Sequence, residues 1–234
     1  MPIDNAELAS ADYWNYRYEE IGVEEAYDWF RDWEQLGAWF KDHLSRPYAK
    51  VLHLGCGNST LTSDLHRLGF THQTNTDFSD VVITAMDAKY KDLNTVWKVM
   101  DVRQMDGLLD NSFDYAIDKA TMDSMFHGSV WDPPDDVREN IDRYLREVVR
   151  VLVPGGTFLY ISSRQPHFMK SLLAREGWDL SVETLPDRER GVFEYFAYVM
   201  KKFGQEEDSE EAFDSTTQSG LETGDEKNRS DFAE

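Results

Sequence analysis

The sequence predicts an α/β fold: a doubly wound, mostly parallel seven-stranded sheet that closes with a C-terminal antiparallel hairpin. Three observations point there. Strand and helix signals alternate from residue 50 to residue 162, a glycine turn follows the first strand directly, and two strand-like runs flank a polar turn at the end. Lys50–Leu54 is a short apolar strand that runs into Gly55-Cys56-Gly57, and Ser59 caps a helix to about Leu68, where Gly69 ends it. His72–Asp77 is the second strand, and Ser79 opens a helix carrying Val82, Ile83, Met86 and Tyr90. Thr95–Val99 and Phe113–Asp118 are the third and fourth strands. Asp132 before Pro133-Pro134 starts a helix with Val137, Ile141, Leu145, Val148 and Leu152 at helical spacing, stopped by Pro154-Gly155-Gly156. Thr157–Ser162 is the fifth strand, and Trp178–Leu185 with Val192–Met200 forms the hairpin around the turn Pro186–Gly191.

Three regions follow from composition. Residues 1–48 form an aromatic helical segment that packs on the core. In it Ala26, Trp29, Phe30, Trp33, Phe40 and Leu44 recur at near-helical spacing and predict one amphipathic helix from about Glu24 to Leu44. Residues 49–203 are the core. Residues 204–234 hold 11 acids against 2 bases, few aliphatic residues and many Ser, Thr and Gly, the signature of a disordered tail. The chain has 234 residues and a formal charge of -21, of which -9 lies in the tail and -12 in the rest. Such a balance argues against nucleic acid, which needs a basic surface, and favours a basic partner, although plain solubility is the commoner reason for net negative charge. One cysteine, Cys56, excludes an internal disulfide and a Cys-rich zinc site, and no metal is expected. No apolar run approaches membrane-spanning length and no secretion signal is visible, so a cytoplasmic protein off the membrane is expected. The oligomeric state is not legible.

The chemistry starts at Leu54-Gly55-Cys56-Gly57-Asn58-Ser59. Gly55 permits the tight turn after a strand, and Gly57 lets a ligand approach the backbone. Asp77 ends the second strand 20 residues after Gly57, where a carboxylate can accept from the two hydroxyls of an adenosine ribose; a merely solvated strand-end acid is the alternative. The third glycine of a dinucleotide motif is replaced by Thr60, and no Walker-type GK[ST] occurs, so bound phosphate is poorly supported. An adenosine cofactor without phosphate, S-adenosylmethionine (SAM), fits. Asp101 ends the third strand where it can accept from an adenine amino group while Val102 packs against the ring; the alternative is an acid that only opens the loop before Arg103.

Asp118 and Lys119 end the fourth strand, at the sheet edge where open α/β folds bind ligands. Lys119 is a cofactor contact and Asp118 a candidate for orienting an incoming amine; a surface ion pair is the plainer alternative. Methyl transfer from a sulfonium needs an aligned, uncharged nucleophile and exclusion of water. Trp14, Tyr18 and Trp29 can hold a cation against their ring faces, or serve only to pack the segment onto the sheet.

Tyr13-Trp14, Arg17-Tyr18 and Tyr27-Asp28-Trp29-Phe30, with LGCGNS at 54–59, Asp77-Phe78-Ser79, Met100-Asp101-Val102-Arg103, Asp118–Asp123 and Val151–Gly156, carry a specific resemblance. Over about residues 12–202 the chain resembles the seven-strand, Rossmann-like SAM-dependent methyltransferases, in the group of elongation factor 1-alpha lysine methyltransferases. The resemblance implies that Trp14, Tyr18 and Trp29 border the cofactor, with Gly55, Asp77, Phe78, Asp101, Val102 and Lys119 contacting it. It implies methyl transfer to a protein lysine. A small-molecule methyltransferase and a non-catalytic SAM-binding interaction protein share the same cofactor signals.

Overall fold

The computed structural model describes residues 5–185 and 194–204. The predicted turn Pro186–Gly191 and most of the acidic tail lie outside the described residues. Seven strands form one sheet: β1 (Val51–Leu54), β2 (Gln73–Asp77), β3 (Val96–Val99), β4 (Phe113–Lys119), β5 (Leu152–Ser162), β6 (Trp178–Leu185) and β7 (Tyr195–Lys202). Their order is β3-β2-β1-β4-β5-β7-β6. The first five pair in parallel, and β7 lies antiparallel between β5 and β6. The helices are α1 (Ala11–Ile21), α2 (Trp33–His43), α3 (Leu61–Arg67), α4 (Asp80–Lys89), α5 (Asp135–Val151) and α6 (Pro166–Leu173). No helix among the described residues is long and apolar enough to cross a membrane.

Alternation along the strands builds two cores. Side chains two apart share a face, so Phe158 and Tyr160 of β5 meet Phe196, Tyr198 and Met200 of β7 on one side. There the buried stripe of α5, Val137, Ile141, Tyr144, Leu145 and Val148, covers them with Met169 and Leu173 of α6. Leu159 and Ile161 point the other way and pack with Leu36 and Phe40 of α2 and Leu61 and Leu65 of α3. Both sheet faces are covered, as a parallel sheet requires. A third, smaller cluster seats Tyr18 of α1 on Val82, Ile83 and Met86 of α4.

Two expectations change. The helix expected over Glu24–Leu44 is confined to α2, with residues 22–32 irregular. Asp32 starts it with a reciprocal capping box: its side chain accepts from the Gln35 amide while the Gln35 side chain accepts from the Asp32 amide. Phe30 sits at φ 66, a left-handed conformation no helix accommodates. Pro154-Gly155-Gly156 does not stop α5, which ends at Val151; these residues lie inside β5, beside a register shift between Phe113 and Tyr115.

The strand order reverses between β1 and β4: β1 runs on to β2 on one side and pairs with β4 on the other. The crevice beyond the C-terminal ends of these strands is where ligands bind in open α/β sheets.

Candidate functional site

A cavity of about 260 Å³ opens at that crevice. Gly55 and Gly57 line it, both in the left-handed region at φ 67 and 51. Gly55 is required by a close crossing. A Cβ there would come within 2.2 Å of Thr121 Oγ1, which itself donates to the carbonyl of Leu54 at 2.7 Å. Gly57 faces the Tyr18 hydroxyl, 3.0 Å from where its Cβ would lie. The loop then enters α3, where Ser59 Oγ accepts from the Leu61 amide.

Asp77 is 6% exposed and anchors the loop: one carboxylate oxygen accepts from the Gly57 amide and the other from the Ser79 amide, both at 3.0 Å. Burial pushes its carboxyl up to about 6, with the amides of Ser79, Gly57 and Phe78 pulling the other way. The carboxylate retains acceptor capacity beyond these amides, which suits a ligand that offers hydroxyl donors. Ser79 in turn caps α4 by accepting from the Val82 amide.

Phe78, Asp101, Val102 and Arg103 form the next stretch of wall. Asp101 is not a free acceptor. Arg103 donates to both its oxygens, from Nε at 2.9 Å and from a terminal nitrogen at 2.7 Å, and its own amide adds a third bond. Burial raises the Asp101 carboxyl, but these bonds outweigh it and hold the group below its usual value. Any contact to adenine is therefore made by an ion-paired carboxylate.

The irregular segment 22–32 and α1 form the opposite wall. Trp14, Tyr18 and Trp29 all line the cavity, with Trp14 6.0 Å from each of the other two rings. Arg17 places its guanidinium 5.6 to 5.8 Å from the rings of Trp14, Tyr27 and Trp29. Lys119 holds this segment down: its Nζ pairs with Asp28 at 3.0 Å and donates to the Trp29 carbonyl at 2.9 Å. Asp28 also accepts from the Ser59 hydroxyl, and the Asn58 side chain donates to the Glu25 carbonyl at 2.8 Å. Burial lowers the Lys119 ammonium, with Asp28 opposing it. The Lys119 side chain is thus a latch on the wall, while the residue still borders the cavity.

Asp118 does not line the cavity. It is fully buried and accepts from the Tyr144 hydroxyl and from the amides of Thr121 and Met122. These donors tie it to the 3-10 turn Met122–Met125, so its carboxylate shapes that turn from behind the cavity wall. Asp123, which sequence reasoning passed over, takes the place at the wall. It lines the cavity with Ser124, Met125, Ser163 and Arg164. Its carboxylate accepts from the Tyr160 hydroxyl at 2.6 Å and Ser162 at 2.8 Å, and Arg164 approaches to 3.5 Å. Burial raises its carboxyl, against the pull of Tyr160, Ser162 and Arg164. These partners come from β5 and the loop after it, some 40 residues away, and only the sheet brings them together. Cys56 also lines the wall, its thiol raised by burial and by Asp77.

An adenosine cofactor fits this wall: a buried carboxylate with acceptor capacity to spare, a glycine that leaves the backbone open, and an apolar shelf of Phe78 and Val102. The methyltransferase-domain family matches residues 52–160. EEF1A lysine methyltransferase 4 of Bos taurus is 35% identical over 210 residues, covering 86% of this chain and 79% of that protein. The chain belongs to the eEF1A lysine methyltransferases. As a member of this family it is a SAM-dependent methyltransferase. The human eEF1A lysine and N-terminal methyltransferase is 32% identical over 220 residues, and its match covers 87% of this chain but 30% of that longer protein. Among solved structures, the Burkholderia thailandensis 1,6-didemethyltoxoflavin-N1-methyltransferase shares the fold with a TM-score of 0.56. It is 17% identical and covers 85% of this chain and 88% of its own. A protein solved in a study of thioacetal formation during echinomycin biosynthesis does so at 0.64 and 16%, covering 88% and 98%.

Proposed function

We propose that the chain methylates a lysine side chain of translation elongation factor 1-alpha in the cytoplasm. The observation that carries the proposal is the 35% identity to an eEF1A lysine methyltransferase across 86% of the chain. The chain's charge of -21 supports it, since a basic protein surface is drawn to an acidic one and a nucleic acid or anionic membrane is repelled.

Gly55, Gly57, Asp77, Phe78, Asp101 and Val102 hold the cofactor, which when bound supplies an electrophilic methyl group on a sulfonium. Asp77 would accept from the ribose hydroxyls of that cofactor. Trp14, Tyr18 and Trp29 close the wall, exclude water and present ring faces to positive charge. Asp123, which lines the same cavity, receives the lysine ammonium, with Tyr160 and Ser162 fixing its carboxylate. The amine must shed a proton before it attacks, because its ordinary pKa is about 10.4. A carboxylate beside the ammonium favours its charged form, so Asp123 serves capture of the lysine more than its deprotonation.

Incubation with methyl-labelled SAM and a cytosolic extract tests the reading. Label on a protein of the size of elongation factor 1-alpha is expected; label confined to metabolites would refute a protein acceptor.

A further inference from the structure

The segment that leaves the cavity between the 3-10 turn and α5 carries an unusually exposed aromatic side chain. Trp131 is 79% exposed and its neighbour Val130 42%. Trp131 stands edge-on to Phe168 of α6 at 4.6 Å and lies 5.8 Å from His167. Its exposure is built into the loop. The Ser129 hydroxyl accepts from the amides of both Trp131 and Asp132, Arg138 donates to the Pro133 carbonyl, and His127 binds Asp136 at 2.8 Å. A braced loop that still leaves its indole in water retains a cost that burial against a partner would remove.

Position and charge identify the partner. The loop continues directly from Met125, and α6 follows Ser163 and Arg164; all three residues line the cavity. Both cavity-lining segments thus converge on Trp131, with Phe168 only four residues, at most about 14 Å of chain, from Arg164. Asp132, Asp135 and Asp136 lie next to Trp131 in the chain, all exposed, with Asp132 paired to Arg138 and Asp136 to His127. The acids at the start of α5 also complement its helix dipole, but that role explains neither Trp131 nor Val130.

We propose that Val130–Asp136 is the docking surface for the acceptor protein, with Trp131 covered by an apolar side chain and the aspartates facing a basic, lysine-bearing segment. This rests on the methyltransferase reading of the adjoining cavity and names where a protein acceptor is gripped outside it.

The test is steady-state methylation of purified elongation factor 1-alpha by the full chain and by Trp131→Ala and Asp135→Lys. Both positions are exposed, and unchanged SAM affinity in each variant confirms the fold. Trp131→Ala is expected to raise the KM for the protein acceptor by about 30-fold, the size of an interface hot spot, with kcat retained. Asp135→Lys is expected to raise KM and to flatten its dependence on salt. An unchanged KM in both variants would overturn the docking surface while leaving the acceptor intact. So would a loss of self-association in Trp131→Ala by light scattering without any change in KM, which would assign the patch to a second copy of the chain. Wild-type chain that binds SAM yet leaves the factor unlabelled would instead overturn the acceptor reading, and this surface with it.

Discussion

Replacing Asp77 with asparagine separates what this carboxylate does for the fold from what it does for the cofactor. Burial lifts its carboxyl from the ordinary 3.8 to about 6. An acid whose pKa is raised by folding binds its proton more tightly folded than unfolded. Its stabilising contribution is therefore present below about pH 4 and is lost as pH rises through 6. That rise in the carboxyl's pKa corresponds to about 3 kcal/mol, of which roughly 1.5 kcal/mol falls between about pH 5 and pH 7.5. The carboxamide of Asp77→Asn cannot titrate, so urea unfolding of the cofactor-free chains should show the variant gaining that amount on wild type across this window. Comparing the two pH profiles cancels any constant cost of the carboxamide facing the backbone amide of Gly57 or Ser79. SAM affinity should move the other way, falling by about 1–3 kcal/mol, roughly 5- to 150-fold, as charge-assisted acceptors for the ribose are lost. Ribose donors favour the ionised carboxylate, so wild-type affinity should rise with pH through 6 and that of the variant should stay flat. Parallel unfolding profiles, or equal SAM affinities by calorimetry, would refute the reasoning.

Gly55→Ala should destabilise by roughly 2–5 kcal/mol, from a left-handed backbone and a clash with Thr121, and a second change, Thr121→Ala, should restore part of the denaturation midpoint. Lys119→Met removes the cation from a pair whose side chains are 8% and 13% exposed, and should cost about 3 kcal/mol. Hydrogen exchange in residues 23–30 should then quicken and SAM should dissociate faster. Tyr144→Phe takes the hydroxyl donor from Asp118, whose carboxyl burial already lifts to about 7. It should lower the unfolding free energy by about 1–3 kcal/mol and push that carboxyl higher, read by carbon NMR of the side chain.

The strand-turn-helix units from β1 to α5 were legible because each carries its own local signal: an apolar strand, a glycine turn, a cap. Residues 24–32 misled because their aromatic spacing imitates a helix. Trp29 instead faces the cavity, Phe30 packs on Tyr195 at 5.3 Å, and Asp28 is drawn to Lys119. No local pattern announces those long-range partners. The i, i+4 pair Trp14 and Tyr18 and Pro166 at a helix start were signals for α1 and α6 that went unused. At the site, Asp77 followed from its register with the glycine loop. That Asp123 and not Asp118 lines the cavity was not legible, since it depends on Tyr144 of α5 holding Asp118 inside and on Tyr160 and Ser162 of β5 holding Asp123 at the wall.

The central claim, methyl transfer to a lysine of elongation factor 1-alpha, is tested most directly by mass spectrometry of that purified factor after incubation with the full chain and SAM. One or more lysine-containing peptides heavier by whole methyl groups are expected, fewer of them with Asp77→Asn at limiting SAM. Unmodified lysines alongside wild-type chain shown to bind SAM would contradict the claim.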